Sequence, residues 1–231
     1  MEMTWEGGTA VDRTLPRQRS EWAERALNAT LAVLLLVLVS PLMLVVAVLV
    51  WINSPGSVIY TQTRVGVDRR WRRGNEHDDR RSRDIGGAPF TIYKFRTMYV
   101  DAEAGTGEVW ATQTDPRITP FGRHLRRLRL DELPQLVNVL RGEMNLVGPR
   151  PERPGIFAEL RRDIAEYPKR QRAKPGITGL AQITCSYDSC LEDVARKVAL
   201  DLEYLTRRGV REDLRILFRT VPVVLFRRGG W

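Results

Sequence analysis

One uninterrupted apolar stretch dominates the hydrophobic pattern of the chain: residues 29–52 carry no charged side chain over 24 residues. A helix of that length can cross a hydrocarbon core of about 30 Å. The stretch therefore predicts a membrane segment. It is too long and too far from the N-terminus for a cleavable signal peptide, and no small-residue cleavage site follows it. We therefore expect it to remain in the mature protein.

A Ser-Pro pair lies near the middle of this segment. Pro41 has no amide proton and its ring clashes with the carbonyl of Val37, which kinks a helix. The hydroxyl of Ser40 can bind a carbonyl that is freed in this way. The pair therefore predicts a break in the membrane helix.

The charges that flank the segment bear on its topology. A spanning helix usually has an excess of Arg and Lys on its cytoplasmic side. Here the two flanks are equal, with Arg13, Arg17, Arg19 and Arg25 before the segment and Arg64, Arg69, Arg70 and Arg72 after it. Equal flanks and a central proline favour a re-entrant helix that returns to the side from which it came. An ordinary kinked span is the alternative.

Two segments after the membrane stretch have the composition of strands. Residues 58–64 and 90–98 are rich in β-branched and aromatic side chains. Alternation along the second segment places Lys94 and Arg96 on one face. Residues 66–89 lie between the two strands and contain too much Arg, Asp and Gly to pack, so we expect a mobile loop near anionic lipid.

From residue 121 onward the pattern is mainly helical. Residues 121–129 are basic, and the apolar positions that follow recur at i, i+3, i+4 and i+7, as in a helix that buries one stripe. These positions are Leu133, Leu136, Val137 and Leu140. Later helical segments are predicted at 154–172 and 191–205, and a last amphipathic helix carries Leu214, Leu217, Phe218 and Val221. We expect this last helix at the membrane surface, with burial in the core as the alternative.

Composition narrows the class of partner. The net charge of +9 and the isoelectric point near 10.1 indicate anionic partners, which include phospholipid headgroups, phosphorylated substrates and nucleic acid. A nucleic-acid binder would need aromatic residues interleaved with basic ones, or a recognisable binding motif. Neither is present, and we expect no nucleic-acid partner. The two cysteines and two histidines lack zinc-site spacing, so the cysteines are interpreted as reduced thiols.

Three polar segments are candidates for chemistry. The adjacent carboxylates of Asp131 and Glu132 precede a helix N-terminus and follow several arginines, where the helix dipole and the cations favour the ionised form. Lys94 and Arg96 present two cations on one strand face. Arg150 stands between two prolines, which would fix its direction towards a phosphate. A helix cap, a solvated strand face and a stiff turn are the structural alternatives, and these residues alone do not exclude them.

Six motifs in a fixed order resemble the bacterial sugar transferases, also called monotopic phosphoglycosyl transferases or polyprenyl-phosphate sugar-phosphate transferases. The motifs are SP at 40–41, KFRTM at 94–98, TDPRIT at 114–119, LDELPQLVNVL at 130–140, LVGPRPE at 146–152 and KPGITGLAQ at 174–182. The resemblance extends over residues 25–226. Six ordered motifs are far more specific than any one of them.

The resemblance implies a reaction and a role for each matching residue. Asp131 is expected to attack the sugar-linked phosphorus of a UDP-sugar, release UMP and carry the phosphosugar until polyprenyl (undecaprenyl) phosphate accepts it. Glu132 would assist as a metal ligand or proton acceptor, and Asp131 and Glu132 together would bind Mg²⁺. Substrate phosphates are expected to bind to basic residues that match family positions, namely Lys94, Arg96, Arg126 and Arg150. Ser40 and Pro41 match the break in the re-entrant helix of the family.

These observations together predict an α+β, mainly helical protein. It would consist of a re-entrant membrane helix hairpin plus a small cytoplasmic domain with a β-hairpin and interfacial amphipathic helices. We divide it into an N-terminal tail at 1–22, the re-entrant helix at 23–53 and the catalytic domain at 54–231. The expected location is the cytoplasmic face of the bacterial plasma (inner) membrane, in contact with phospholipids, and a homodimer is left open. The product would initiate assembly of exopolysaccharide, O-antigen, capsule or glycoprotein glycan, and the motifs do not specify the sugar.

Three features depart from the family pattern. Asn28 stands where members usually carry an Asp that pairs with basic residues, so we expect the membrane helix to be held differently. The 66–89 loop is longer than the usual short turn, and no membrane bundle or sensory domain is expected before residue 25. A non-catalytic membrane scaffold of polysaccharide assembly is the alternative function. A scaffold would explain the apolar segment but would not require Asp131 and Glu132.

Overall fold

Helices form most of the computed structural model, which describes residues 14–73, 85–100, 102, 115–185 and 190–226. The helices are α1 (Glu21–Asn53), α2 (Pro120–Arg127), α3 (Gln135–Arg141), α4 (Pro154–Asp163), α5 (Leu180–Thr184), α6 (Leu191–Arg207) and α7 (Val210–Phe226). The strands are β1 (Ile59–Val65), β2 (Pro89–Phe95), β3 (Asn145–Val147) and β4 (Gly176–Thr178). Short 3₁₀ segments lie at Arg70–Arg73, Leu130–Glu132 and Tyr167–Arg172. The mainly helical α+β class predicted from the sequence is confirmed.

Helix α1 contains the whole apolar stretch and begins eight residues before it. Its N-cap is Ser20, whose hydroxyl oxygen accepts a hydrogen bond from the amide of Ala23 at 3.4 Å. Among the described residues, α1 is the one helix long and apolar enough to cross a membrane. Many of its apolar side chains are exposed, and Leu38 is 75% exposed. A surface of this kind is expected to contact lipid.

The helix continues through Pro41 because Ser40 replaces the missing backbone donor. In an α-helix the amide at position 41 would donate to the carbonyl of Val37. The hydroxyl of Ser40 donates to that same carbonyl at 2.9 Å, as the sequence predicted. The helix is therefore uninterrupted from Glu21 to Asn53, and the re-entrant hairpin stays a prediction.

The N-terminal part of α1 is fixed to the domain by polar contacts. Arg25 donates to the carbonyls of Val139 and Leu140 at the end of α3. The side-chain oxygen of Asn28 accepts a hydrogen bond from the backbone amide of Leu146 at 2.8 Å. A neutral amide therefore holds the helix here.

The C-terminal part of α1 packs on the same domain through apolar contacts. Val46 and Val50 are each 3% exposed and form a cluster with Phe95 of β2 and Leu125 of α2. Asn28 and Val46 are about 27 Å apart along the helix axis. One domain therefore contacts α1 near both ends of its apolar stretch.

The predicted β-hairpin is confirmed. β1 and β2 are antiparallel, and Tyr60 stands opposite Lys94 in the register. β2 ends at Phe95 rather than at 98. The Arg96 amide still donates to the Val58 carbonyl at 2.9 Å, but Met98 then forms a bridge with Ile118 before α2.

The buried side chain of Asn138 joins the hairpin to α3. Asn138 is 0% exposed. Its side-chain oxygen accepts from the Tyr93 amide at 3.2 Å, and its side-chain nitrogen donates to the Thr91 carbonyl at 2.6 Å and to the Glu143 carboxylate at 2.7 Å. The apolar stripe predicted for α3 did not include this residue.

The apolar stripe predicted for α7 lies mostly outside the core. Leu214, Phe218 and Val221 are 41%, 75% and 55% exposed, whereas Ile216 is buried. Leu217 is the one stripe residue that packs partly against the core. Because Leu214, Phe218 and Val221 are exposed, they are not part of the core, which was the alternative for this stripe. Helix α7 therefore has an exposed apolar face.

The predicted loop at 66–89 is ordered at its described ends, and its centre lies outside the described residues. The amide of Asp68 donates to the Gln171 carbonyl at 2.7 Å. Arg70 forms an ion pair with Asp68 at 2.8 Å and begins the first 3₁₀ segment. The expectation that this segment cannot pack is therefore wrong for residues 66–73.

Candidate functional site

A tight turn between α2 and α3 positions Asp131 and Glu132. Both carboxylates belong to the 3₁₀ segment Leu130–Glu132 and are only 7% and 6% exposed. Arg129 precedes them with φ 53°, the one left-handed non-glycine residue in the described part of the chain. A bulky residue rarely adopts this conformation, and such strained positions concentrate at functional sites. The turn at Arg129 directs both carboxylates into the protein.

Glu132 is held by three cations. The Lys94 ammonium is 2.9 Å and an Arg150 guanidinium nitrogen is 3.0 Å from the same Glu132 oxygen, Oε1. Arg129 lies 3.7 Å from the other oxygen, Oε2. Burial raises the pKa of Glu132, but Lys94, Arg150 and Arg129 outweigh burial and hold that pKa well below its ordinary value. Glu132 is therefore ionised at neutral pH.

Asp131 differs from its neighbour because no hydrogen bond or ion pair with another described residue engages its carboxylate. Burial raises the pKa of Asp131, the charge of Lys94 opposes this increase, and the charge of Glu132 adds to it. Arg126 and Arg150 also favour the ionised form. Asp131 is thus a buried carboxylate in a cationic site whose oxygens are bound by no described side chain, and such a group can attack a phosphate that the cations hold.

Two further predicted phosphate-binding residues reach this site. Arg126 donates to the Thr97 hydroxyl at 2.9 Å, which fixes its guanidinium near Asp131. Arg150 has a 47% exposed side chain, so it can contact both Glu132 and a bound substrate. The backbone carbonyl of Arg150 accepts a hydrogen bond from Arg170, which forms a buried ion pair with Asp201 at 2.7 Å.

Arg96 lies elsewhere, although the sequence placed it with Lys94. Its guanidinium donates to the carbonyl of Ser54 at the end of α1 and packs near Gly56. The strand ends at Phe95, so the alternation used to pair Arg96 with Lys94 stops before Arg96. Arg96 therefore fixes the exit from α1, whereas Arg129 joins the carboxylates. One signal in the sequence could have identified Arg129 as a site residue: it directly precedes the Leu-Asp-Glu turn.

The two carboxylates could contribute two ligands to a Mg²⁺ site. No group of three or more His, Cys, Asp or Glu side chains that could hold a metal occurs among the described residues. The protein thus offers Asp131 and the second oxygen of Glu132. Mg²⁺ commonly binds one or two carboxylates and completes its shell with waters and substrate phosphates. The residues present fit that mode of binding.

Comparison with known proteins matches this region to one family. The family model described as bacterial sugar transferase matches residues 19–227. An undecaprenyl-phosphate glucose phosphotransferase of Komagataeibacter xylinus is 40% identical over 93% of this chain and 38% of its own length. A UDP-glucose:undecaprenyl-phosphate glucose-1-phosphate transferase of Caulobacter vibrioides is 38% identical over 91% of this chain and 73% of its own length. The Escherichia coli protein of the same name is 41% identical over 86% of this chain and 39% of its own length.

The chain therefore spans about two fifths of the length of two of these relatives and about three quarters of the third. The matched residues include both carboxylates and the cations around them. The family model covers nearly the whole sequence, and the relatives are about 40% identical to it. The chain belongs to the bacterial sugar transferase family.

Proposed function

We propose that the chain transfers a sugar 1-phosphate from a UDP-sugar to polyprenyl phosphate through a phosphosugar bound covalently to Asp131. The observation that carries this proposal is the buried carboxylate of Asp131, which no other described residue binds, near Lys94, Arg126 and Arg150. The printed names of relatives specify UDP-glucose or UDP-N-acetylgalactosamine as donor and undecaprenyl phosphate as acceptor. Those names support the reaction class and leave the sugar of this chain open.

In the first step an Asp131 oxygen attacks the sugar-linked phosphorus of the UDP-sugar. A bond forms between that oxygen and phosphorus, and the bond from phosphorus to the bridging oxygen breaks. UMP leaves with the bonding electron pair, and an acyl phosphate remains on Asp131. The ionised carboxylate is the required form, and Lys94, Arg126 and Arg150 favour it.

In the second step a phosphate oxygen of the polyprenyl phosphate attacks the same phosphorus. The bond to Asp131 breaks and the carboxylate is regenerated, which leaves a polyprenyl diphosphate sugar. Covalent catalysis divides one difficult displacement into two easier ones. The product would initiate assembly of a surface polysaccharide or glycoprotein glycan.

The residues around Asp131 have separate tasks in this scheme. Glu132 keeps Lys94 and Arg150 in position through the contacts at 2.9 and 3.0 Å. These two cations and Arg126 stabilise the charge on the transferring phosphoryl group. Mg²⁺, when bound by Asp131 and Glu132 together with the diphosphate, would neutralise developing charge on the phosphate oxygens.

The packing of α1 supports a re-entrant position at the cytoplasmic face of the plasma membrane. The same domain contacts α1 at Asn28 and at Val46, near both ends of its apolar stretch. A domain on one side of a bilayer cannot hold both ends of a helix that spans it. Leu130 and Leu133, which flank the carboxylates, pack against the cluster around Val46. This packing supports a position of Asp131 near the headgroup plane, where a polyprenyl phosphate would present its phosphate.

The covalent intermediate gives a direct test of the reaction. Enzyme with a UDP-sugar and Mg²⁺ but no acceptor lipid should release up to one UMP per chain and retain a labelled phosphosugar. Mass spectrometry should find the label on the peptide that contains Asp131, and polyprenyl phosphate should discharge it. A panel of UDP-sugars in the same assay would identify the donor.

Asp131→Asn separates a nucleophile from a structural residue. The amide cannot form an acyl phosphate, so UMP release should fall by factors of hundreds or more. Turnover close to wild type, or a label found repeatedly on another peptide, would overturn the role of Asp131. Glycan transfer that stays at the same low level with and without both carboxylates would instead support the scaffold alternative.

A further inference from the structure

A second basic site lies at the first turn of α1. It is a cavity of about 330 Å³, at the lower end of the range for small-molecule sites. Five basic and two acidic side chains contribute to its wall. The wall is formed by Glu21, Trp22, Glu24, Arg25, Val67, Arg69, Arg172, Ala173, Lys174 and Arg208. This excess of positive charge favours an anionic occupant.

Donor groups in the cavity wall lack partners within the described part of the chain. Arg208 is 6% exposed and its guanidinium pairs with Glu24, yet its Nε is buried without any hydrogen-bond partner. The ammonium of half-buried Lys174 forms no hydrogen bond or ion pair with a described residue. Buried donors are normally hydrogen-bonded, and an unmade bond is costly. The Lys174 ammonium is therefore a donor in the cavity wall that an anion could bind, with the Arg208 guanidinium in the same wall.

The positive charges around Lys174 would favour an anion bound beside it. Burial lowers the pKa of Lys174, the charge of Glu24 opposes this, and the charges of Arg25, Arg69 and Arg208 lower the pKa further. Arg25 is already bound to the carbonyls at the end of α3. Lys174, Arg208 and the exposed rim residue Arg69 are therefore the groups best placed to bind a phosphate.

This cavity is separate from the carboxylate site. Lys94, which contacts Glu132, stands opposite Tyr60 near the start of β1. The strand extends about 17 Å from Tyr60 to Val65, and Val67 lines the cavity beyond that end. A phosphate held by Lys174 and Arg208 therefore cannot be the group that reacts at Asp131.

The position of the cavity on α1 identifies the class of ligand. Its wall includes the first turn of α1, which begins eight residues before the apolar stretch, and Trp22 is 86% exposed there. Tryptophan is enriched at the level of lipid headgroups, and basic pockets at that level bind anionic headgroups. We propose that this cavity binds the headgroup of an anionic phospholipid, with the phosphate at Lys174, Arg208 and Arg69. The proposal rests on the membrane location argued above, but not on the transfer reaction.

Direct lipid binding tests the site. The purified full-length chain in a nonionic detergent would be titrated with dioctanoyl phosphatidylglycerol, and bound lipid would be counted by native mass spectrometry. Lys174→Gln should weaken binding at least about tenfold, the loss expected for a charge-assisted hydrogen bond. Arg69→Gln should weaken it too, and Lys174→Arg should retain most of it. Arg196→Gln is the matched control, because Arg196 is exposed on α6 and does not line the cavity.

Several outcomes would overturn the assignment. Equal losses in Lys174→Gln and Arg196→Gln would indicate diffuse surface charge, and equal binding of dioctanoyl phosphatidylcholine would remove the need for an anionic headgroup. Inorganic phosphate that competes as strongly as the lipid would indicate a free-anion site. Preferred binding of polyprenyl phosphate, lost in Lys174→Gln, would make the cavity an acceptor site instead.

The test distinguishes this proposal from the proposed reaction. UMP release by wild type without selective phospholipid binding would refute the lipid site alone. Selective phospholipid binding without UMP release would refute the reaction alone. Circular dichroism would verify that Lys174→Gln folds, and if it does not, the exposed Arg69→Gln decides the outcome.

Discussion

Asp131 and Glu132 are adjacent in the sequence, but their pKa values shift in opposite directions. Glu132 contacts Lys94, Arg150 and Arg129, and these cations depress its pKa. Asp131 shares the same field without a direct contact, so burial dominates and raises its pKa. The result is one carboxylate that organises the cations and one that is available to react.

At the level of single cations, Lys94 and Arg96 should respond differently to the same substitution. Lys94→Gln and Arg150→Gln should each lower UMP release roughly 10- to 100-fold, because each removes a charge-assisted contact worth about 1.5–3 kcal/mol. Arg96→Gln should leave the KM for the UDP-sugar unchanged, since Arg96 contacts Ser54 rather than the carboxylates. Steady-state kinetics of the three variants provide the test. Wild-type kinetics in the Lys94 variant, or a raised KM in the Arg96 variant, would contradict the assignment.

The decline of UMP release at low pH should follow the protonation of Asp131. Its folded pKa lies above the ordinary value of about 3.9, so the reactive ionised form is lost at a higher pH than for an exposed aspartate. UMP release in a single turnover should therefore decline as pH falls through that raised pKa. Lys94→Gln removes a charge that lowers the Asp131 pKa, so its acid limb should move to higher pH. A limb that stays fixed or moves to lower pH would exclude Asp131 as the titrating group.

At the scale of elements, Asn138 joins β2 to α3 through two hydrogen bonds, and a third binds it to Glu143. Asn138→Ala leaves the Tyr93 amide and the Thr91 carbonyl unpaired, and we expect the free energy of unfolding to fall by about 2–4 kcal/mol. Val137→Ala on the half-buried neighbour should cost about 1 kcal/mol or less. Denaturant unfolding of both variants in detergent would measure the difference. Equal losses of unfolding free energy in the two variants would show that the hydrogen bonds of Asn138 contribute no more than ordinary packing.

For the whole molecule, the domain contacts α1 near both ends of its apolar stretch. We therefore predict that the residues before and after this stretch lie on the same side of the membrane. Single cysteines at Thr9 and Ser57, in a chain with Cys185 and Cys190 changed to Ser, should show the same accessibility to an impermeant reagent. Both should react in inverted vesicles, and neither should react in intact cells. Labelling of only one site from outside would establish an ordinary span.

The sequence by itself determined the features that depend on residues close together along the chain, namely helices, strands and motifs. The uncharged stretch, the two strands and the helical periodicity after residue 121 predicted most elements. The Ser40 hydroxyl and the Val37 carbonyl are three residues apart, so their hydrogen bond could also be inferred from the sequence. Ordered motifs identified the family and the candidate carboxylates.

Only the tertiary structure decided which charged groups meet. Lys94 and Glu132 are 38 residues apart, and Arg208 and Glu24 are 184 apart, so no local pattern relates the members of either pair. The exclusion of Arg96 from the carboxylate site depends on where β2 ends, and the inclusion of Arg129 depends on its left-handed backbone. Periodicity specifies the face on which a side chain lies, whereas its partner and its pKa depend on segments that folding brings close in space.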